Sequence, residues 1–176
     1  MLTKHRQVLA KLVKKLPAQY PGCGILVWGS VMRGCERPDS DLDIFVVVQG
    51  DGPIRIRQGW QAGKRYPENY VDGVCLDMAI MPAETLAELL QHEPYKFWFF
   101  ARSHVVHDPK GLATKYLGVA AAYFDAHPAV EAVWKENATI TEELKPKLKA
   151  NPEADITLPA WEEVARQAEE VAKRES

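Results

Sequence analysis

Asp41 and Asp43 stand two residues apart at the mouth of the apolar run "LDIFVVV", residues 42–48. Alternation along a strand sends both carboxylates to one face, together with Phe45 and Val47. Two such charges beside a buried strand repel, and the arrangement is costly unless a cation or hydrogen-bond donors offset it. Mg²⁺ suits the pair, because it takes oxygen ligands and is commonly held by one or two carboxylates plus the phosphates of a substrate. A third acid, Asp77, interrupts another apolar run, "VCLDMAI". If the two strands are neighbours, the three acids meet. Upstream, Gly29 and Ser30 lie between a short apolar strand and a helix start, where backbone N–H groups and a hydroxyl can approach a phosphate. Arg33 adds a guanidinium that can fork onto phosphate oxygens. A triphosphate grip beside metal-binding acids is the equipment of phosphoryl or nucleotidyl transfer by in-line displacement.

Other chemistries fit the same residues less well. Asp39, Asp41 and Asp43 occupy the first, third and fifth places of a calcium loop, but Ile44 stands where that loop needs glycine and Gly50 where it needs glutamate. Gly22-x-Gly24 lacks the third glycine of a dinucleotide fingerprint, and no G-K-[ST] follows a glycine-rich loop. His104 and His107 are three apart on an expected strand and so point to opposite faces, which suits polar strand ends better than zinc ligation. The bland alternative for the acids is a solvated strand end whose charges discourage edge pairing. Gly29, Ser30, Arg33 and Asp77 at their spacings favour the active-site reading over it. Cys35 and Glu36 are read as ordinary loop residues.

The full pattern is G-S-x-x-R-G-x-x-x-x-x-S-D-x-D, formed by Gly29, Ser30, Arg33, Gly34, Ser40, Asp41 and Asp43, with Asp77 on a later strand. It resembles the DNA polymerase beta-like nucleotidyltransferase superfamily, especially its minimal and antibiotic-modifying branches. The resemblance implies an α/β (α+β) fold, a small mixed β-sheet flanked by helices. It implies that Gly29 and Ser30, with Arg33, Gly34 and Ser40, hold the nucleoside triphosphate, ATP being the first expectation. Asp41 and Asp43 would bind Mg²⁺, two ions by expectation and Mn²⁺ as a substitute, and Asp77 would be the third metal-binding carboxylate and activate an acceptor hydroxyl. Residues 1–108 would form the catalytic domain and 109–176 a helical extension packed on it. The acceptor stays open between a small hydroxylated compound, as for aminoglycoside-modifying relatives, and a partner protein, as for minimal nucleotidyltransferases acting as antitoxins. A catalytically idle module of the same fold is the third reading.

The elements that must position these residues are legible in part. Val8, Leu9, Leu12, Val13 and Leu16 predict a helix over residues 3–16, stopped by Pro17, with its lysines on a solvated face. "GILVW", "LDIFVVV" and residues 74–81 predict three buried strands, with "SVMRG" as a helical turn between the first two. Residues 49–73 read as loop with one short helix. Pro82 opens a helix that faces the core through Leu86, Leu89 and Leu90 and carries Glu84 at its positive end. The aromatic run "YKFWFF" reads as core, followed by a short strand at His104–His107. Two helical faces follow, one with Leu112, Tyr116, Leu117, Ala120 and Phe124, the other with Val130, Val133 and Trp134. "KPKLKANPEADITLP" reads as a linker that sets apart a last helix starting at Pro159.

Composition limits the partners. A chain of 176 residues with 47% hydrophobic content buries one core. With 22 basic and 24 acidic residues and a net charge of −2, it lacks the excess needed to neutralise a long nucleic-acid duplex. Three cysteines without a C-x-x-C pair argue for a reducing cytoplasm. The basic N-terminal segment lacks a continuous apolar stretch, and no segment is apolar enough to span a membrane, so neither a signal peptide nor a membrane partner is expected. Oligomeric state is not legible.

Overall fold

The computed structural model describes residues 2–34, 36–61 and 64–175, so Cys35 lies outside the described residues. A central sheet contains β1 (Gly24–Trp28), β2 (Leu42–Val48), β3 (Arg55–Gln58), β6 (Tyr70–Val71), β7 (Val74–Pro82) and β8 (His104–His107). A separate small hairpin is made by β4 (Trp60–Gln61) and β5 (Lys64–Arg65). The order across the sheet is β3-β7-β2-β1-β8, with β6 pairing β7. The β2–β7 pair is parallel and the remaining neighbours are antiparallel, which makes the sheet mixed.

Strand alternation divides the sheet into two faces. Ile25, Val27, Leu42, Ile44, Val46, Leu76, Met78 and Ile80 pack with Val8, Leu9, Leu12 and Leu16 of helix α1 (Thr3–Gln19). The opposite set, Leu26, Val47 and Met81, packs with α3 (Ala83–His92), α4 (Trp98–Ala101), α5 (Leu112–Ala126), α6 (Pro128–Ala150) and α7 (Trp161–Glu175). Asp43 and Asp77 belong by parity to this second face. They stand in register with Trp28 and Gln58, toward one end of the sheet.

Several sequence expectations need correction. Pro17 does not stop α1, which continues to Gln19. A proline this close to a helix end forfeits one backbone bond, and the burial of Leu16 holds the last turn in place. Residues 49–73 hold β3, the β4–β5 hairpin and β6, together with a 3₁₀ turn at Pro67–Asn69. These strands are short and largely exposed, Ile56 being 68% accessible, so they carry no apolar alternation. Leu89 is half-buried, leaving Leu86 and Leu90 as the core contacts of α3.

The largest revision concerns the expected linker. Helix α6 runs through Pro146 to Ala150, and α7 joins the common core through Val164 and Ala168. Trp161 meets Phe99 edge-on at 4.8 Å and stacks on Trp134 at 6.1 Å. The sequence 145–150 reads as linker because it carries a proline among three lysines and little apolar content. Its helical form is held instead by side-chain contacts to the sheet.

Candidate active site

Across the sheet, Trp28 faces Asp43, Asp43 faces Asp77, and Asp77 faces Gln58 as in-register partners. Directly paired residues share a face, so the two acids lie side by side on neighbouring parallel strands. Gly29 follows Trp28 with φ 89° and ψ −162° and caps the one-turn helix α2 (Ser30–Arg33). A Cβ at Gly29 would collide with Asp43 Oδ2, so the glycine is required twice, by the left-handed φ and by the carboxylate packed against it. Ser30, the next residue, opens α2.

Asp41 enters from the turn before β2 and is only 7% exposed. The turn closes through Ser40 N–H to Arg37 O (3.0 Å) and Arg37 N–H to Ser40 Oγ (2.8 Å). His5 on α1, fully buried, donates Nε2–H to Ser40 O at 2.9 Å, which anchors the peptide just before Asp41. Ser40 therefore has a local role in shaping the turn. Arg33 pairs with Glu142 of α6 and lies 5.6 Å over the Trp28 ring, and Gly34 forms the left-handed C-cap of α2.

Two lysines on α6 complete the site. Lys145 pairs with Asp41 and approaches Asp77 Oδ2 at 3.7 Å, while Lys149 pairs with Asp41 Oδ1 at 2.7 Å and donates to Asp39 O at 3.0 Å. Both ammonium groups also lie over the Trp60 ring, at 5.7 and 5.9 Å. The preceding residue, Gly59, shares its N–H between Leu76 O (2.9 Å) and Asp77 Oδ1 (3.1 Å). Added to Gly59, a Cβ would meet Cys75 Sγ at 2.6 Å, so the approach of this turn to Asp77 depends on glycine.

The three acids have different environments. Burial raises the Asp41 carboxyl, but Lys145 and Lys149 outweigh burial and hold it below its usual range. Burial pushes Asp43 up to about 7, with Asp77 and Asp41 adding to the rise and Lys145 opposing it. Asp77 is raised by burial and by Asp41 against the pull of Lys145 and the Gly59 N–H. Lys145 answers in kind, its ammonium form favoured by Asp41, Asp43 and Asp77 despite burial. Cys75 is driven up to about 12 by burial and by Asp41, which leaves it a neutral thiol and no nucleophile.

This donor set fits a hard divalent cation. It is all oxygen, and an ammonium already bridges Asp41 and Asp77, showing that a cation is accommodated between them. Among the described residues, no three His, Cys, Asp or Glu side chains close around a single point on their own.

The sequence-predicted residues Gly29, Ser30, Asp41, Asp43 and Asp77 are thus gathered at one end of the sheet, whereas Arg33 is directed to α6. Lys145, Lys149, Trp60, Gly59 and His5 were not singled out from the sequence. The i,i+4 spacing of Lys145 and Lys149 was the available signal, masked by Pro146 between them. Among the described residues, no helix is long and apolar enough to cross a membrane. The family of the nucleotidyltransferase domain matches residues 9–103, a span that includes the whole acid row. No curated protein matches the chain.

Proposed function

The chain belongs to the nucleotidyltransferase domain family, and from that premise we propose that it moves a nucleoside monophosphate from a triphosphate, ATP first among them, to a hydroxyl on a small acceptor. The observation that carries this reading is the in-register pairing of Asp43 with Asp77, with Gly29 packed against Asp43.

Asp41, Asp43 and Asp77 would hold Mg²⁺, which when bound supplies Lewis-acid activation and charge neutralisation to phosphoryl transfer. Gly29 and Ser30 receive the triphosphate on the β1 side of the acid row, and Lys145 and Lys149 offer it positive charge. In-line displacement requires the attacking oxygen to enter opposite the leaving pyrophosphate. With the leaving group on the β1 side, the acceptor comes from the β3 side, past Gln58 and Trp60. Asp77 accepts the acceptor's hydroxyl proton through Oδ2, since Oδ1 is engaged by the Gly59 N–H. The new bond joins the acceptor oxygen to the α-phosphorus, and the bond from that phosphorus to pyrophosphate breaks. Cys23 and Cys75 are buried free thiols, which suits a reducing cytoplasm.

The test is incubation with each α-labelled nucleoside triphosphate, Mg²⁺ and separated small-molecule and protein fractions of a cell extract. Label in a small hydroxylated compound supports the reading. Label in a protein band would instead favour an antitoxin-like action on a partner. No label in any fraction, without a thermal shift from any triphosphate, points to an idle module.

A further inference from the structure

Helix α6 has two halves held by different forces. As far as Ala138 it is fastened by burial of Val130, Trp134 and Ala138 in the aromatic core. Beyond that point its ties to the sheet side are largely ionic: Arg33 with Glu142, Lys145 with Asp41 and Asp77, and Lys149 with Asp41. Leu148 is the one buried apolar residue among the described residues of this half. Pro146, between the two lysines, has no N–H to give to the carbonyl of Glu142, so the helix ladder lacks one bond within the lysine-bearing turn. A segment held in this way can exchange partners without disturbing the core.

The partners in question are the acids that would hold metal. An ammonium on Asp41 and Asp77 and a divalent cation on the same oxygens repel at close range, so the two compete. A nucleoside triphosphate changes that balance, because its phosphates offer the lysines new anionic partners. Lysine's flexible four-carbon stem allows the exchange by side-chain re-aiming.

We propose that Lys145 and Lys149 act as a tethered cation on the carboxylate cluster, so that divalent metal is admitted together with a nucleoside triphosphate and not ahead of it. The inference rests on the nucleotidyltransferase reading of the site and adds an order of binding to it. Lys145 is the principal competitor, since it alone of the pair bridges two acids. Trp60 holds both ammonium groups against the cluster through its ring face.

The experiment titrates Mn²⁺ into the full chain and follows free Mn²⁺ by electron paramagnetic resonance, with the melting temperature as a second readout. In wild type, Mn²⁺ alone should bind weakly, and Mn²⁺ with a nucleoside triphosphate strongly. Lys145→Met should bind Mn²⁺ alone on the order of tenfold more tightly than wild type, since one of two competing charges is gone. Lys145→Arg, which keeps the charge, should behave as wild type. If Lys145→Met does not fold, Lys149→Met decides, with an expected gain of about threefold. Equal affinity of wild type and the methionine variant for Mn²⁺ without nucleotide overturns the proposal. The nucleotidyltransferase reading fails separately, if none of the four ribonucleoside triphosphates with Mn²⁺ raises the wild-type melting temperature.

Discussion

The site has two walls of opposite charge and opposite construction. Asp43 and Asp77 are fixed by backbone register within a buried sheet, and Gly29 is locked against Asp43. Lys145 and Lys149 reach the same place on long side chains from the ionically held end of α6. The sheet wall places its oxygens rigidly, as pre-organised transfer chemistry requires. The helix wall supplies charge that can be redirected. Geometry is thus assigned to the strands and adaptability to the helix.

The largest effect expected from breaking this contrast is at Asp43. Asp43→Asn keeps the shape and removes a charge, and transfer should fall about a thousandfold or more, as when a central electrostatic group is lost. Asp43→Glu should also lose on the order of a hundredfold, because a displacement near 1 Å is already damaging. Labelled product formation on the identified acceptor measures both. Lys145→Arg, on the adaptable wall, should stay within about fivefold. Similar losses in Asp43→Glu and Lys145→Arg would remove the distinction between the walls.

Next in size is Gly29→Ala. The left-handed φ and the collision with Asp43 Oδ2 should together destabilise the protein by about 1–3 kcal/mol in urea unfolding. Triphosphate binding should weaken at the same time, since α2 must move. Gly34 offers an internal control: it too has a positive φ, 69°, but a Cβ there meets nothing within 4 Å. Gly34→Ala should therefore cost only the backbone part, about 1 kcal/mol.

The two walls also differed in how far the sequence revealed them. Gly29, Ser30, Asp41, Asp43 and Asp77 sit on or beside apolar runs that report strands, so their places in the elements could be anticipated from period and spacing, while the adjacency of the two acid-bearing strands was implied only by the family resemblance. The helix wall obeys no such rule. Lys145 and Lys149 flank a proline in a stretch with little apolar content, and the contacts that hold it are remote in the chain, Lys149 to Asp41 spanning 108 positions. Trp60 and Gly59 were hidden for a related reason, because β3 and β4 are edge elements too exposed to leave a hydrophobic pattern. His5 carries no signal in the helical pattern; only the fold shows its ring reaching Ser40 O.

A smaller effect separates two acids that the sequence treats as equivalents. Asp41 is stabilised by two lysines, so Asp41→Asn leaves both ammonium groups under-paired and should destabilise the metal-free protein by about 1–2 kcal/mol. Asp43 lies buried beside other acids, and Asp43→Asn should stabilise the metal-free protein at pH 8 by about 2 kcal/mol, through removal of a buried charge and relief of repulsion. Chemical denaturation in the presence of a chelator checks the pair. The same sign for both variants would mean that Lys145 does not distinguish them.

The last effect is a pH dependence that follows from the same asymmetry. Asp43 is raised to about 7 in the folded protein, against an unfolded value of about 3.9. Between those values the folded state binds the extra proton, so metal-free stability should fall as pH rises from about 4 to 7 and level off above. Asp77 is shifted the same way and adds to the slope. Asp41 is shifted down, so its contribution is retained through this window and lost only at lower pH, as its lysine-paired carboxylate takes a proton. Metal and triphosphate need the ionised acids, and their affinity should rise over the window in which metal-free stability declines. Urea midpoints at pH 5 and pH 8, with chelator and with Mg²⁺ and triphosphate, should therefore move in opposite directions. Replacing both Asp43 and Asp77 by Asn should flatten the metal-free slope while leaving the acid-side loss due to Asp41. A slope that survives in the double variant would place the titration elsewhere and detach the sheet wall from the binding equilibrium.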